Sequence, residues 1–211
     1  MSTLFHKDTL PQGTAKLFKN IELAQPSFLQ DFYLSGGTAL SLQLGHRESE
    51  DLDFFTEQDF DPRNIQVELE KIGKLSDIEL DQNTLNGYLD TVKVQFLRYP
   101  YPLIDPVVNI GGIKLSSVID IACTKLQTIG MRGSKKDFVD MFILLQKYPL
   151  TELITKLKEK YQQTQYNLPH ILKSLVYFVD AEDQAMPRLH QKITWNQVKE
   201  KMIEVIKEIN L

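Results

Sequence analysis

The stretch YLSGGTALSLQLGHRESEDLDFF, residues 33–55, decides the fold. Its opening, FYLSG from Phe32, has the composition of a short strand that ends at glycine. TALSLQLG then places Ala39, Leu40, Leu42 and Leu44 at helical spacing and stops at Gly45, a helix terminator. DLDFFT follows as a second strand. In a strand alternate side chains share a face, so Leu52 and Phe54 point one way and Asp51, Asp53 and Phe55 the other. The two carboxylates of Asp51-Leu52-Asp53 therefore stand on one face, about 6.5–7 Å apart at their Cα atoms.

That spacing lets both carboxylates reach one magnesium ion or a pair of them. Magnesium takes oxygen ligands and keeps part of its shell for water and substrate phosphates. Chance alone supplies about one D-x-D in a chain this rich in aspartate, so the pair means little by itself. Asp59-Phe60-Asp61 is the internal control. It precedes Pro62 and has the composition of a turn and helix N-cap. Asp51 and Asp53 differ because strands deplete aspartate, and because Gly36-Gly37 lies just upstream between strand and helix. A glycine turn there exposes backbone N–H groups at a helix N-terminus, where phosphate binds. Together these pieces point to a nucleoside-triphosphate and magnesium site.

The whole chain is compatible with such a site. It has 211 residues, 42% hydrophobic and 25% charged, as in soluble globular proteins. The net charge of −4 gives no global drive toward nucleic acid, although a local basic patch could still serve. One cysteine, Cys123, excludes an internal disulfide. The start, MSTLFHKDTLPQG, lacks the apolar segment of a secretory signal. No apolar run approaches the roughly 18 residues needed to span a bilayer. The expectation is a cytoplasmic protein with no membrane association.

Around the central stretch, TAKLFKNIELAQPSFLQD predicts one or two helices broken at Pro26. PRNIQVELEKIG predicts a helix with Pro62 at its start and Gly73 at its end. From Leu75 to Leu103 the pattern is β-like, with a hairpin expected to turn near Asn86-Gly87 and a longer strand through Val92, Val94 and Phe96. Beyond about residue 110 the chain reads as helical, with segments over SSVIDIACTKLQTIG, SKKDFVDMFILLQKY, 151–163, 168–181 and 195–209. The boundary is expected near Gly111-Gly112.

The residues LSGGTAL…DLDFF resemble the hydrophobic-Gly-Gly then D-x-D signature of the nucleotidyltransferase superfamily. Within it, GGTAL, then His46-Arg47, then Ser49-x-Asp51-Leu52-Asp53-Phe54-Phe55 closely resembles the AbiEii/AbiGii toxin-type nucleotidyltransferases. Those proteins carry a later motif of Lys, six residues, Arg, three residues, a basic residue, Asp, two residues, Asp. Lys125, Arg132, Lys136, Asp137 and Asp140 fit that spacing, with Lys136 where arginine is commoner.

The resemblance implies an α+β fold. A nucleotidyltransferase-like mixed β-sheet lobe with flanking helices would occupy residues 1–110, and an all-helical C-terminal lobe carrying Lys125 and Asp137 residues 111–211. It implies transfer of a nucleoside monophosphate from an NTP to an acceptor hydroxyl on RNA, such as tRNA, or on protein. Asp51 and Asp53 would be the metal ligands, for magnesium or manganese. Ser35, Gly36, Gly37, Thr38, Arg47, Ser49 and Arg132 would bind the nucleotide. Lys125 would neutralise phosphate charge, and Asp137 would activate the acceptor or hold Lys125. A cognate antitoxin is the implied partner.

Residue chemistry leaves alternatives open. Lys125 falls inside the apolar arc of its helix, beside Val118, where a lysine either snorkels or meets an anion. Asp137 also falls on an apolar side, yet Ser134-x-x-Asp137 resembles a capping box. His46 is expected to position its loop, and Cys123 to be a small core residue. Arg132, Lys135 and Lys136 form either a basic cluster for a nucleic-acid backbone or a solvated helix start. Superfamily members commonly carry a third carboxylate on a later strand. Its natural place here holds Gln95, which has no charge, and the nearest acid is Asp90. A non-catalytic nucleotide or RNA sensor on the same fold is therefore the rival expectation, with a D-x-D phosphohydrolase behind it.

Overall fold

The computed structural model describes residues 5–209. The first four residues and the last two lie outside the described residues, and so does the opening of the segment on which the expectation about a secretory signal rests. The chain divides into two compact units, the first ending at Ser117 and the second starting at Val118.

The first unit is built on one mixed sheet. Its strands are β1 (Tyr33–Ser35), β2 (Leu52–Thr56), β3 (Leu75–Asp81), β4 (Thr84–Leu89), β5 (Val92–Arg98), β6 (Val108–Ile110) and β7 (Ile113–Leu115), in the order β3-β4-β5-β2-β1-β7-β6. β2 pairs parallel to β5 and antiparallel to β1, and β1 pairs parallel to β7. Register sorts the side chains by face. Leu34, Phe54, Phe96 and Leu85 are successive neighbours across β1, β2, β5 and β4, and all four are buried. Phe54 stacks on Phe96 with ring centroids 4.8 Å apart, and Phe32 meets Phe96 edge-on at 5.2 Å. Such pairs add to plain area burial.

Helix α1 (Gln12–Ala24) buries Thr14, Leu17, Phe18 and Ile21, one stripe at helical spacing. It stops at Gln25, left-handed at φ 40°, ahead of Pro26. α2 (Gly36–Leu44) follows β1 directly and ends at Gly45 in the left-handed conformation. α3 (Pro62–Glu70) begins as expected. Asp61 caps it by accepting from the Arg63 N–H, so the Asp59-Phe60-Asp61 pair is indeed a turn and cap.

Two expectations need correction. The hairpin does not turn at Asn86-Gly87, which lie within β4. The turns fall at Gln82-Asn83 and Asp90-Thr91, where Asn83 and Asp90 take positive φ. Asparagine and aspartate tolerate that conformation, so no glycine was required. Gly87 instead faces an irregularity of β3, and a Cβ there would meet the Ser76 carbonyl oxygen at 3.2 Å. The second correction concerns Gly111 and Gly112. Both have positive φ and turn the hairpin between β6 and β7, which keeps the chain in the sheet up to Leu115.

The second unit is helical, with α4 (Val118–Met131), α5 (Lys135–Leu145), α6 (Leu150–Lys160), α7 (Leu168–Ser174), α8 (Val179–Glu182) and α9 (Trp195–Glu208). α9 starts at a capping box formed by Thr194 and Gln197, and buries Val198, Met202 and Val205. Phe138, Phe178 and Trp195 make a three-ring cluster with centroids 5.3–5.8 Å apart. A buried ion pair, Lys160 Nζ to Asp120 Oδ1 at 2.7 Å, ties α6 to α4. Burial pushes the neighbouring Cys123 thiol up to about 12, so it stays a neutral core group. Among the described residues no helix is long and apolar enough to cross a membrane.

Candidate active site

The sheet face opposite the phenylalanine row carries a polar row. Ser35 on β1 neighbours Asp53 on β2, Asp53 neighbours Gln95 on β5, and Gln95 neighbours Asn86 on β4. Gln95 thus stands beside Asp53 in the sheet. Its Nε2 donates to Asn86 Oδ1 at 2.7 Å, which leaves two neutral amides next to the aspartate.

The two glycines are held by side chains as well as by backbone geometry. Gly36 has φ 66°, and a Cβ there would lie 2.7 Å from Asp53 Oδ2. At Gly37 a Cβ would strike the Arg47 guanidinium and lie 3.2 Å from Ser49 Oγ. Carboxylate and guanidinium therefore approach the start of α2 so closely that only glycine fits. Ser35 is the N-cap residue of α2 but makes no side-chain cap. Its hydroxyl is hydrogen-bonded to Ser116 Oγ at 2.9 Å. Gly36→Ala is expected to lower stability by about 1–2 kcal/mol from the left-handed backbone alone, and to displace Asp53. Urea unfolding with an unchanged midpoint would contradict this close approach.

The loop from α2 to β2 is pinned from several sides. The Thr38 hydroxyl donates to the Asp51 carbonyl and shares a hydrogen bond with Ser49 Oγ at 2.9 Å. Arg47 Nη1 donates to the Glu48 carbonyl at 2.8 Å. The Ser49 N–H donates to the Thr9 carbonyl, and the Thr14 hydroxyl to the Glu50 carbonyl at 2.9 Å. His46, Arg47 and Ser49 are buried, which suits the positioning role expected for His46. Asp51 and Asp53 remain partly exposed. Among the described residues no group of three or more His, Cys, Asp or Glu side chains converges on a metal position. Two carboxylates still suit magnesium, which is commonly bound by one or two of them with substrate phosphates completing the shell.

The second constellation forms within the helical unit. Lys125 Nζ lies 2.7 Å from Asp137 Oδ1 and 2.6 Å from Asp140 Oδ2, and both carboxylates are fully buried. Arg132 Nε reaches Asp137 Oδ2 at 3.3 Å from the exposed side. The Ser134 hydroxyl donates to the same oxygen. Asp137 is thus not a simple cap; its carboxylate receives Lys125. Asp140 was part of the spacing but had no assigned role, although its i+3 offset from Asp137 puts both on one helix face. Neither alternative read for Arg132, Lys135 and Lys136, a basic cluster or a solvated helix start, describes Lys135. Lys135 is buried, donating to the Glu182 carbonyl at 2.9 Å and lying 4.9 Å from the Trp195 ring centroid.

Burial alone would raise the Asp137 carboxyl. The Lys125 charge and hydrogen bond, the Ser134 hydroxyl and Arg132 outweigh it and hold the carboxyl below its ordinary value of 3.8. The folded state thus binds the Asp137 proton less readily than the unfolded chain. Its contribution is full above the ordinary aspartate range and is lost as pH falls through the lowered folded value. Stability should fall with acid below about pH 4, less steeply in Asp137→Asn. Urea unfolding between pH 6 and pH 3, with equal slopes in both proteins, would refute the assignment.

With this geometry the comparisons become specific. The family described as nucleotidyl transferase AbiEii toxin of type IV toxin–antitoxin systems matches residues 20–208. The chain belongs to the AbiEii family. It is a nucleotidyltransferase of the toxin type. The uncharacterized protein aq_aa25 of Aquifex aeolicus (strain VF5) is 40% identical over 184 residues, covering 84% of this chain and 87% of that one. Two solved structures share the fold. JHP933 from Helicobacter pylori aligns with TM-score 0.57 and 20% identity over 94% of this chain and 92% of its own. The nucleotidyltransferase toxin MenT4 from Mycobacterium tuberculosis H37Rv aligns with TM-score 0.55 and 13% identity over 97% and 88%. The expected α+β nucleotidyltransferase fold is borne out, and so is the family.

Proposed function

We propose that this AbiEii family member moves a nucleoside monophosphate from an NTP to an acceptor hydroxyl on RNA, such as tRNA. One observation carries the proposal: Asp53 sits in register between Ser35 and Gln95, with its carboxylate against Gly36 at the start of α2. A carboxylate beside a helix N-terminus suits a triphosphate there only when a cation balances the charge. Asp51 and Asp53 would hold magnesium, or manganese in its place, which supplies that balance when bound.

The remaining roles belong to the chain. The N–H groups that open α2, with Ser35, orient the phosphates, and Thr38, Arg47 and Ser49 fix the loop behind them. The acceptor hydroxyl loses its proton to water as its oxygen bonds to the α-phosphorus, the bond from that phosphorus to the oxygen bridging to the β-phosphate breaks, and pyrophosphate leaves with the electron pair. For Lys125 and Arg132, both in the helical unit, the proposed phosphate-neutralising role is the one that the family motif implies. Asp137 accepts hydrogen bonds from Lys125 and Ser134 and has a lowered pKa, which supports a positioning role for it.

Incubation with each α-labelled NTP, magnesium and total RNA should put label on RNA. Label on protein instead would reassign the acceptor. NTP binding without any labelled product would favour the sensor, which Gln95 in place of a carboxylate already supports. The toxin role predicts growth arrest on expression, relieved by a cognate antitoxin encoded nearby. Unimpaired growth with soluble, transfer-active protein would oppose it.

A further inference from the structure

The site face has a second row, one step along the strands from the polar one. Register places Tyr33 on β1 beside Phe55 on β2, Phe55 beside Leu97 on β5, and Leu97 beside Thr84 on β4. Phe55 is two residues from Asp53 on the same face, so their Cα atoms are about 6.5–7 Å apart. Tyr33 meets Phe55 edge-on at 6.1 Å. Tyr99 then covers Phe55 at 5.0 Å with its ring tilted by 32°, and Tyr101 stands edge-on to Tyr99 at 4.8 Å. Tyr33 and Phe55 are buried, whereas Tyr99 and Tyr101 are partly exposed.

The outer two rings are rigidly mounted. The Tyr99 N–H donates to the Thr56 carbonyl at 2.7 Å, and the Tyr101 N–H to the Tyr99 carbonyl at 2.8 Å. Each tyrosine is followed by a proline, Pro100 and Pro102, which fixes its own φ and restricts the residue before it. The backbone under both rings is thereby fixed before any ligand arrives. A flat aromatic ligand gains from it, because the cost of ordering the platform falls on folding and not on binding.

Resting on the proposed nucleotidyl transfer, we propose that Tyr99 and Tyr101 form a stacking platform for a nucleobase. A base on Tyr99 would lie over the same sheet face as Asp53, with the apolar row beneath it. Stacking tolerates any base, so the platform supplies affinity and leaves base choice to other groups. The base belongs either to the NTP or to the acceptor RNA.

Binding of four NTPs, of inorganic tripolyphosphate and of a 12-nucleotide single-stranded RNA, measured calorimetrically with magnesium, distinguishes these cases. Tyr99→Leu should weaken the best-bound NTP about 5- to 100-fold while tripolyphosphate binds as before. Loss confined to the RNA would also uphold the platform and assign the base to the acceptor. Tyr99→Trp should retain or tighten the affected ligand, which a purely structural tyrosine would not allow. Should Tyr99→Leu fail to fold, Tyr99→Trp and Tyr101→Leu carry the test. Wild-type affinity for NTPs and RNA in the leucine variants, or equal loss of tripolyphosphate, would overturn the platform and leave nucleotidyl transfer standing. A wild-type protein that binds neither NTP nor RNA would overturn both.

Discussion

Asp51→Ala is expected to reduce nucleotidyl transfer at least a thousandfold while thermal unfolding stays near that of the wild type. The estimate follows from the cost of removing one electrostatic stabiliser of developing charge, about 10²–10³ in rate, compounded here by loss of a metal ligand. The fold should survive because Asp51 is partly exposed just before β2, and the Thr38 hydroxyl is held by its backbone carbonyl, which alanine retains. Asp53→Asn should act similarly on transfer. Its amide keeps the volume beside Gly36 but not the charge. A transfer assay in which Asp51→Ala keeps more than a tenth of wild-type activity would remove the aspartate pair from the mechanism.

The second large effect is on stability. Lys125→Met leaves Asp137 and Asp140 buried without their shared ammonium, and removing one partner of a buried ion cluster costs about 3–5 kcal/mol. A domain is stable by only about 5–15 kcal/mol, so this variant should unfold at markedly lower urea. Arg132 offsets part of the loss at Asp137 alone. Adding Asp137→Asn and Asp140→Asn to Lys125→Met should recover much of the stability, because neutral amides cost less to bury than unpaired charges. The triple variant also separates two roles of Lys125. Stability restored with transfer still lost marks a chemical role, whereas transfer restored along with stability marks a structural one. Wild-type stability in Lys125→Met would refute the triad as described.

How much of this was legible in the sequence differs by residue. Asp53 could be put on the face opposite Leu52 and Phe54 because strand alternation is local and strict, and that face is the one the register gives, whereas Asp51 falls just before β2. Lys125 could be placed among apolar neighbours because a helical wheel is equally local. Both glycines were visible as a turn. The reason neither tolerates a side chain was not, because Asp53 and Arg47 reach them across separate elements. Asn86 reads locally as a turn residue because it meets Gln95 only through the β4–β5 register, and that register depends on turns made by Asn83 and Asp90 without glycine. The strands β6 and β7 are three residues each, too short for alternation to show. The Asp120–Lys160 pair spans 40 residues and had no local signal.

The central claim is that the start of α2 with Asp51 and Asp53 supports transfer to an acceptor and not hydrolysis. The most direct measurement follows pyrophosphate, orthophosphate and labelled RNA together in one reaction, for the wild type and Asp51→Ala. Pyrophosphate equal to the nucleotide placed on RNA, with both lost in the variant, is the predicted result. Orthophosphate release without labelled RNA, or labelled RNA that persists in Asp51→Ala, would contradict the account.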